Sequence, residues 1–350
     1  MRAAVTESVG VMTVVDRPEP DEPGRGQVLV HPEAVGICGS DYHFFSGHLS
    51  AAAGGSRFPR VLGHEVGATI AAVGPECASA LSPGQRVAML PISACGACYP
   101  CRVGRPNACD NFSLVGIHTD GGLQELLCLP QEQVFPIQAS DGALAALAEP
   151  VSVAVHAARR GRIRCGERVV VLGAGPIGQC VAVVARELGA EVLLVDLQET
   201  RLELARALGA ETLRWTTAAE VVAHGREWGG AGGGPATGGP PVVIDATGVP
   251  AAVRAMVDMV ASAGRAVQVG MSTDEAPIRI GSLTEKELDV LGASCCTSED
   301  FAEAVGVVER NAQALTRLIS HEFALAQAPE AIRFAMSNPT EVMKVVIRDE

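Results

Sequence analysis

The stretch from Arg168 to Asp196, RVVVLGAGPIGQCVAVVARELGAEVLLVD, changes its hydrophobic period twice. It begins as a continuous apolar run, RVVVL, the pattern of a strand buried on both faces. Apolar positions then recur at helical spacing through IGQCVAVVARELG, with Gly189 as the predicted stop. EVLLVD follows as a second buried strand that ends on Asp196. Two later runs, PVVIDATGVPAAV (241–253) and GRAVQVGM (264–271), are again apolar strands with polar or glycine-bearing ends. Residues 154–294 therefore alternate strand and helix, which predicts an α/β unit with a doubly wound parallel sheet and right-handed crossovers.

The flanking sequence has a different rhythm. Residues 1–153 are short strands broken by frequent Gly and Pro, as in a small β-barrel. SEDFAEAVGVVERNAQAL (298–315) predicts an amphipathic helix with Ser298 as its N-terminal cap. It opens a return segment that ends in a terminal strand within EVMKVVIRDE. The glycine-rich stretch 229–240 reads as a surface loop with no function of its own.

Composition narrows the partners. The chain has 350 residues, 48% hydrophobic but only 3% aromatic, so its cores must be aliphatic. A formal net charge of −13 argues against binding a nucleic-acid backbone and leaves a small molecule as the default partner. No run of eighteen apolar residues predicts a membrane span. MRAAVTESVGVMTVVDRPEP carries no export signal, so a cytoplasmic setting is expected, in which disulfides rarely persist. Eleven cysteines then point to a metal, to catalysis or to core packing.

Four of them lie in CGACYPCRVGRPNAC: Cys95, Cys98, Cys101 and Cys109. Two-residue gaps let neighbouring thiolates share one tetrahedral zinc. A four-thiolate site has no open position, so this ion would hold a loop and catalyse nothing. An iron–sulfur cluster is the rival, but ferredoxin-type runs close with a shorter gap and a proline. A second constellation is more dispersed. VGICGSDYHFF supplies Cys38, Ser40, Asp41 and His43, LGHEVG supplies His64 and Glu65, and ALAEPVSVAVHAARR places Glu149 in an apolar run. Three protein ligands of this kind leave a coordination position for water or an alcohol oxygen.

The turn after the first buried strand is a full G-x-G-x-x-G, Gly173-Ala174-Gly175-Pro176-Ile177-Gly178. The first glycine permits the tight turn, the second lets a pyrophosphate approach the backbone, and the third lets helix pack on strand. Asp196, eighteen residues after Gly178, is placed to accept from adenosine ribose hydroxyls and would repel a 2′-phosphate, which favours NAD over NADP. Ligands of such sheets bind beyond the carboxyl ends of the strands, so Thr247, Gly248 and Gly270 fall on the nicotinamide side. Arg201 either covers the adenine side or is a solvated helix charge.

These motifs, in this order along the chain, resemble the zinc-dependent medium-chain dehydrogenases of the alcohol dehydrogenase superfamily, in their polyol and sugar-acid branch. GICGSD, GHE, the CGACYPCRVGRPNAC lobe, AEPVSVAVHAARR and GAGPIG all carry the resemblance. It implies a GroES-like β-barrel catalytic domain over 1–153 and 295–350, with a structural-zinc lobe near 93–111. A Rossmann NAD-binding domain over 154–294 completes the expected organisation. It also implies two zinc ions per chain and NAD. Cys38, His64 and Glu65 match the catalytic zinc ligands, and Glu149 matches a carboxylate that binds the ion directly or through water. Ser40 matches the hydroxyl of a proton relay, with His43 beside it. The implied reaction oxidises a secondary alcohol of a polyol or sugar acid to a ketone. GRPNAC and GIHTDGG look closest to enzymes of compounds like L-galactonate or L-gulonate. A threonine-type amino-alcohol dehydrogenase and a non-catalytic binding protein on the same fold are the alternatives. A homodimer or homotetramer is expected from the family.

Overall fold

Val169, Val170, Val171 and Leu172 are all fully buried, as a strand covered on both faces requires. They belong to one of two units seen in a computed structural model that describes residues 1–49, 57–230 and 238–349. One unit comprises Met1–Ser152 and Thr297–Glu350, the other Val153–Cys296.

The second unit is built on a six-stranded parallel sheet. Its spatial order is Glu211–Arg214, Glu191–Asp196, Arg168–Leu172, Val242–Asp245, Arg265–Gln268, Asp289–Gly292. Counted along the chain this is 3-2-1-4-5-6, the doubly wound dinucleotide-binding order. The direction of progression reverses between Arg168–Leu172 and Val242–Asp245, so the turns after these two strands flank the ligand crevice of such a sheet. The helix Pro176–Glu187 starts with Gly175 as N-cap and Pro at its first position, and Gly189 follows its end with φ +84°. Residues 231–237, most of the glycine-rich stretch, lie outside the described residues.

The first unit holds a seven-stranded sheet centred on the long strand Gln27–Gly36. That strand pairs antiparallel with Glu65–Val73, with Leu127–Pro130 and with the returning Lys344–Arg348. A three-stranded sheet joins Val11–Asp16, Arg2–Ser8 and Arg60–Val61. Between them lies an aliphatic core of residues such as Val30, Leu62, Ile70, Leu123 and Ile347, with Phe44 among its few aromatics. A two-stranded pairing, Ile92 with Leu114 and Ser93 with Ser113, closes the base of the four-cysteine loop.

The return segment departs from the sequence expectation. The cap is Thr297, not Ser298: its hydroxyl accepts from the Asp300 N–H at 3.2 Å, while the Asp300 carboxylate accepts from the Thr297 N–H at 2.8 Å. This reciprocal capping box places Ser298 inside the helix. The single helix expected over 298–315 is two, Ser298–Arg310 and Ala312–Thr316. Asn311 interrupts them, its backbone N–H and its side-chain amide both donating to the Val307 carbonyl at 2.9 Å.

Candidate active site

Strand pairing brings the dispersed ligands together. Gly36 lies opposite Glu65 in the antiparallel register, so the turn that carries Cys38 leaves the sheet beside the one that carries His64. Cys38 is the N-cap of the short helix Gly39–Phe45. Its N–H donates to Asp41 Oδ2 at 2.9 Å, and the other oxygen of Asp41 accepts from the Gly63 N–H at 3.3 Å. One fully buried carboxylate thus ties the two ligand-bearing turns to each other. The ligand atoms of Cys38, His64 and Glu65 all lie within 4.8 Å of one another. Glu149, second residue of the helix Ala148–Arg160, is buried and senses the charges of His64, Glu65, Lys344 and Asp41, but falls outside that tight set.

The cluster has the chemistry of a metal site. His64 Nδ1 is buried without a hydrogen-bond partner, 3.6 Å from Asp41 Oδ1, while Nε2 lies 3.4 Å from the Ser40 hydroxyl. A thiol, an imidazole and a carboxylate that converge in this way are the donor set of a mixed-ligand zinc, with Asp41 behind the imidazole. Burial acts to lower the His64 pKa, but Asp41 and Cys38 outweigh it and hold it well above the ordinary value. Burial pushes the Glu149 carboxyl up to about 7, with His64 opposing the rise and Glu65 adding to it. Lys344 was not singled out from the sequence. Its ammonium is buried and donates to both oxygens of Glu65, at 2.6 and 2.8 Å. His43 sits on the exposed side of its helix.

Gly36 was also missed. A Cβ there would lie 2.1 Å from Glu65 Oε2, so the bare Cα makes room for the carboxylate. Gly67 has a different duty: a Cβ would meet the Gly142 carbonyl oxygen at 1.9 Å, so only a bare Cα fits there.

The four thiols form a separate, shallower cluster. Sγ of Cys98 is 3.4 Å from that of Cys101 and 3.6 Å from that of Cys109, which is 3.5 Å from Cys95. Four bonds of about 2.3 Å in a tetrahedron put sulfurs a little under 4 Å apart, so the thiols fit one zinc. The Cys95 and Asn111 N–H groups donate to Cys109 Sγ. N–H groups of Ala97 and Cys98 pull the Cys95 thiol down to about 6, whereas burial and its thiol neighbours push Cys101 up to about 12.

In the second unit the glycines of the fingerprint have separate reasons. Gly173 has φ +99°, and a Cβ would sit 2.6 Å from Thr247 Cγ2. A Cβ on Gly178 would lie 1.8 Å from the Gly173 carbonyl oxygen. On Gly175 it would meet only Arg201 Nη1, at 3.9 Å, so the helix N-terminus stays open to an anion. Pro176 and Ile177 form the first turn of that helix. Asp196 accepts from the Ala174 and Gln198 N–H groups at 2.7 and 2.8 Å and lies 3.9 Å from Arg201. Buried Asp245 organises the neighbouring turn, accepting from the Thr247 hydroxyl at 2.6 Å and the Gly248 N–H at 2.8 Å. Gly270 packs so closely on this turn that a Cβ would lie 2.1 Å from the Gly248 nitrogen.

Residues 24–139 match the alcohol dehydrogenase GroES-like domain and residues 176–310 the zinc-binding dehydrogenase family. The chain is 33% identical over 326 residues to L-galactonate-5-dehydrogenase of Escherichia coli (strain K12), covering 93% of this chain and 92% of that one. The alcohol dehydrogenase RspB of E. coli CFT073, solved with NADH, superposes with a TM-score of 0.88 at 29% identity, over 99% of each chain. A zinc-binding dehydrogenase of Sinorhizobium meliloti 1021, solved with NADP, gives 0.86 at 31% identity over 99% of this chain and 98% of the other. Among the described residues no helix is long and apolar enough to cross a membrane. The chain belongs to the zinc-dependent medium-chain alcohol dehydrogenase family, in its polyol and sugar-acid branch.

Proposed function

We propose that this protein is an NAD-dependent, zinc-dependent dehydrogenase that oxidises a secondary alcohol of a polyol or sugar acid to a ketone. The observation that carries the reading is the convergence of half-buried Cys38 with buried His64 and Glu65, their ligand atoms within 4.8 Å of one another. Such a donor set holds zinc with a position left for the substrate oxygen. A bound zinc supplies Lewis acidity to the alcohol, and a bound nicotinamide supplies the hydride acceptor. Ser40, whose hydroxyl lies 3.4 Å from His64 Nε2, is placed to take the alcohol proton and release another, since a hydroxyl both donates and accepts. His43, exposed on the same helix, is the acid–base group that passes this proton to solvent. Cys38 and Glu65 bring two negative charges to offset the dication. Asp41 ties both ligand turns together and faces the imidazole at 3.6 Å.

The four thiols hold a second zinc that staples the lobe. In the second unit Gly173, Gly175 and Gly178 shape the turn for the pyrophosphate, with Pro176, Ile177 and Arg201 around it. Thr247, Gly248 and Gly270 line the nicotinamide side. Asp196 keeps an oxygen lone pair on each side after its two backbone contacts, and its charge disfavours a 2′-phosphate. The similarity to L-galactonate-5-dehydrogenase supports a sugar acid as substrate class.

A screen of aldonates, polyols and L-threonine with NAD and with NADP, following the reduced cofactor, tests the reading. The expected result is turnover of an aldonate or polyol, with NAD preferred. Turnover of L-threonine alone, or of nothing, contradicts the substrate class. Asp196→Ala is expected to lower kcat/KM for NAD about tenfold and narrow the gap to NADP, the loss of one charged hydrogen-bonding group.

A further inference from the structure

Lys344 occupies a position that its strand would assign to an apolar side chain. Val345, Val346 and Ile347 beside it are buried in the core, and Lys344 itself is only 4% exposed. Its ammonium has three protons and three acceptors: Oε1 and Oε2 of Glu65, and the Ile37 carbonyl at 3.3 Å. Ile37 immediately precedes Cys38, and Glu65 immediately follows His64. One buried cation from the end of the chain therefore grips both segments that carry the metal-type donors. The path to this position is the sheet: the returning strand pairs Val346 with Gly36, whose own partner is Glu65.

Two constraints act on the same carboxylate. Lys344 holds both oxygens from one side, and the bare Cα of Gly36 abuts Oε2 from another. Each carboxylate oxygen keeps a second lone pair, so the grip orients Glu65 without consuming its capacity to bind a metal. A buried ion pair is seldom the most stable solution for a core position, since apolar residues of similar volume commonly do as well. Its placement beside the donor cluster argues for orientation rather than stability.

We propose that Lys344 is a positioning residue for the catalytic metal: through Glu65 and the Ile37 carbonyl it fixes the mixed-ligand site in its binding geometry. This rests on the zinc reading of that site. The test loads the full-length protein with cobalt(II) in place of zinc, records the visible ligand-field spectrum, and measures affinity by competition with a chelator. Lys344→Met is expected to weaken the mixed-ligand site about 10- to 100-fold and to shift its cobalt bands, leaving the four-thiolate site unchanged. In a Glu65→Gln background the same substitution should add less than about threefold, because its main route of action is gone. Lys344→Arg keeps the charge and serves if Lys344→Met does not fold. Its planar guanidinium meets the carboxylate differently, so an intermediate affinity and a shifted spectrum are expected.

Unchanged or tighter cobalt binding with an unchanged spectrum in either folded variant overturns the role of Lys344. So does an equal loss in the Glu65→Gln background. A wild-type protein that takes up metal only at the four thiols overturns the zinc reading itself, and the role of Lys344 with it.

Discussion

The four thiols of the lobe come from one stretch of fifteen residues, Cys95 to Cys109, on a loop closed by two short strands. Cys38, His64 and Glu65 instead sit at the ends of long sheet strands and are backed by Asp41 and by Lys344, the latter 279 residues from Glu65. Cys95 is exposed, Cys98 and Cys101 are half-buried and only Cys109 is buried, whereas His64 and Glu65 are buried and Cys38 is half-buried. On the proposed zinc reading, the difference separates an ion that staples a loop from one that meets the substrate. A local loop can bring four like donors together by itself, and once all four are used nothing remains for chemistry. A site with three unlike donors and an open position must be held by the fold, because no short segment can orient it.

Cys38→Ser is the sharpest way to break this contrast. Loss of the thiolate should cost several kcal/mol of charge stabilisation, so kcat/KM should fall by about 10³-fold or more, with NADH binding followed by fluorescence unchanged. Retention of even a tenth of the activity would place the chemistry elsewhere. Gly36→Ala probes the backing rather than a ligand. The added methyl must displace the Glu65 carboxylate, and metal affinity at the mixed-ligand site should drop about 10- to 100-fold while the lobe keeps its ion, as read by chelator titration. Cys98→Ser should do the reverse. A lost lobe ligand is expected to lower the melting temperature by roughly 5–10 °C, with kcat/KM of the folded enzyme within about threefold of wild type. If Cys98→Ser abolished turnover at temperatures where the protein stays folded, the two clusters would not divide their labour as described.

Much of the molecule was legible because its determinants are contiguous. The strand, the G-x-G-x-x-G turn, the helix and the strand ending on Asp196 occupy 29 consecutive residues, with Gly173 and Gly178 tightly packed and Gly175 left open. The lobe was legible from spacing alone. The ends of elements were less so. Ser298 and Thr297 are both good caps by composition, and the choice fell to Thr297 because Asp300 stands three places after it. Nor did the periodicity of 298–315 reveal the break at Asn311, whose side-chain amide folds back on the Val307 carbonyl beside its own backbone N–H.

The sequence by itself determined the donor inventory, the dinucleotide turn and the alternation that builds the parallel sheet, since these depend on spacing within single segments. Only the tertiary structure decided that Asp41 joins two ligand turns, that Gly36 clears space for Glu65, and that a lone lysine in a terminal apolar strand reaches the same carboxylate. Those relations follow from strand register: a shift of one residue would turn Lys344 to the opposite face of its sheet and take from Glu65 the ammonium that pairs with it.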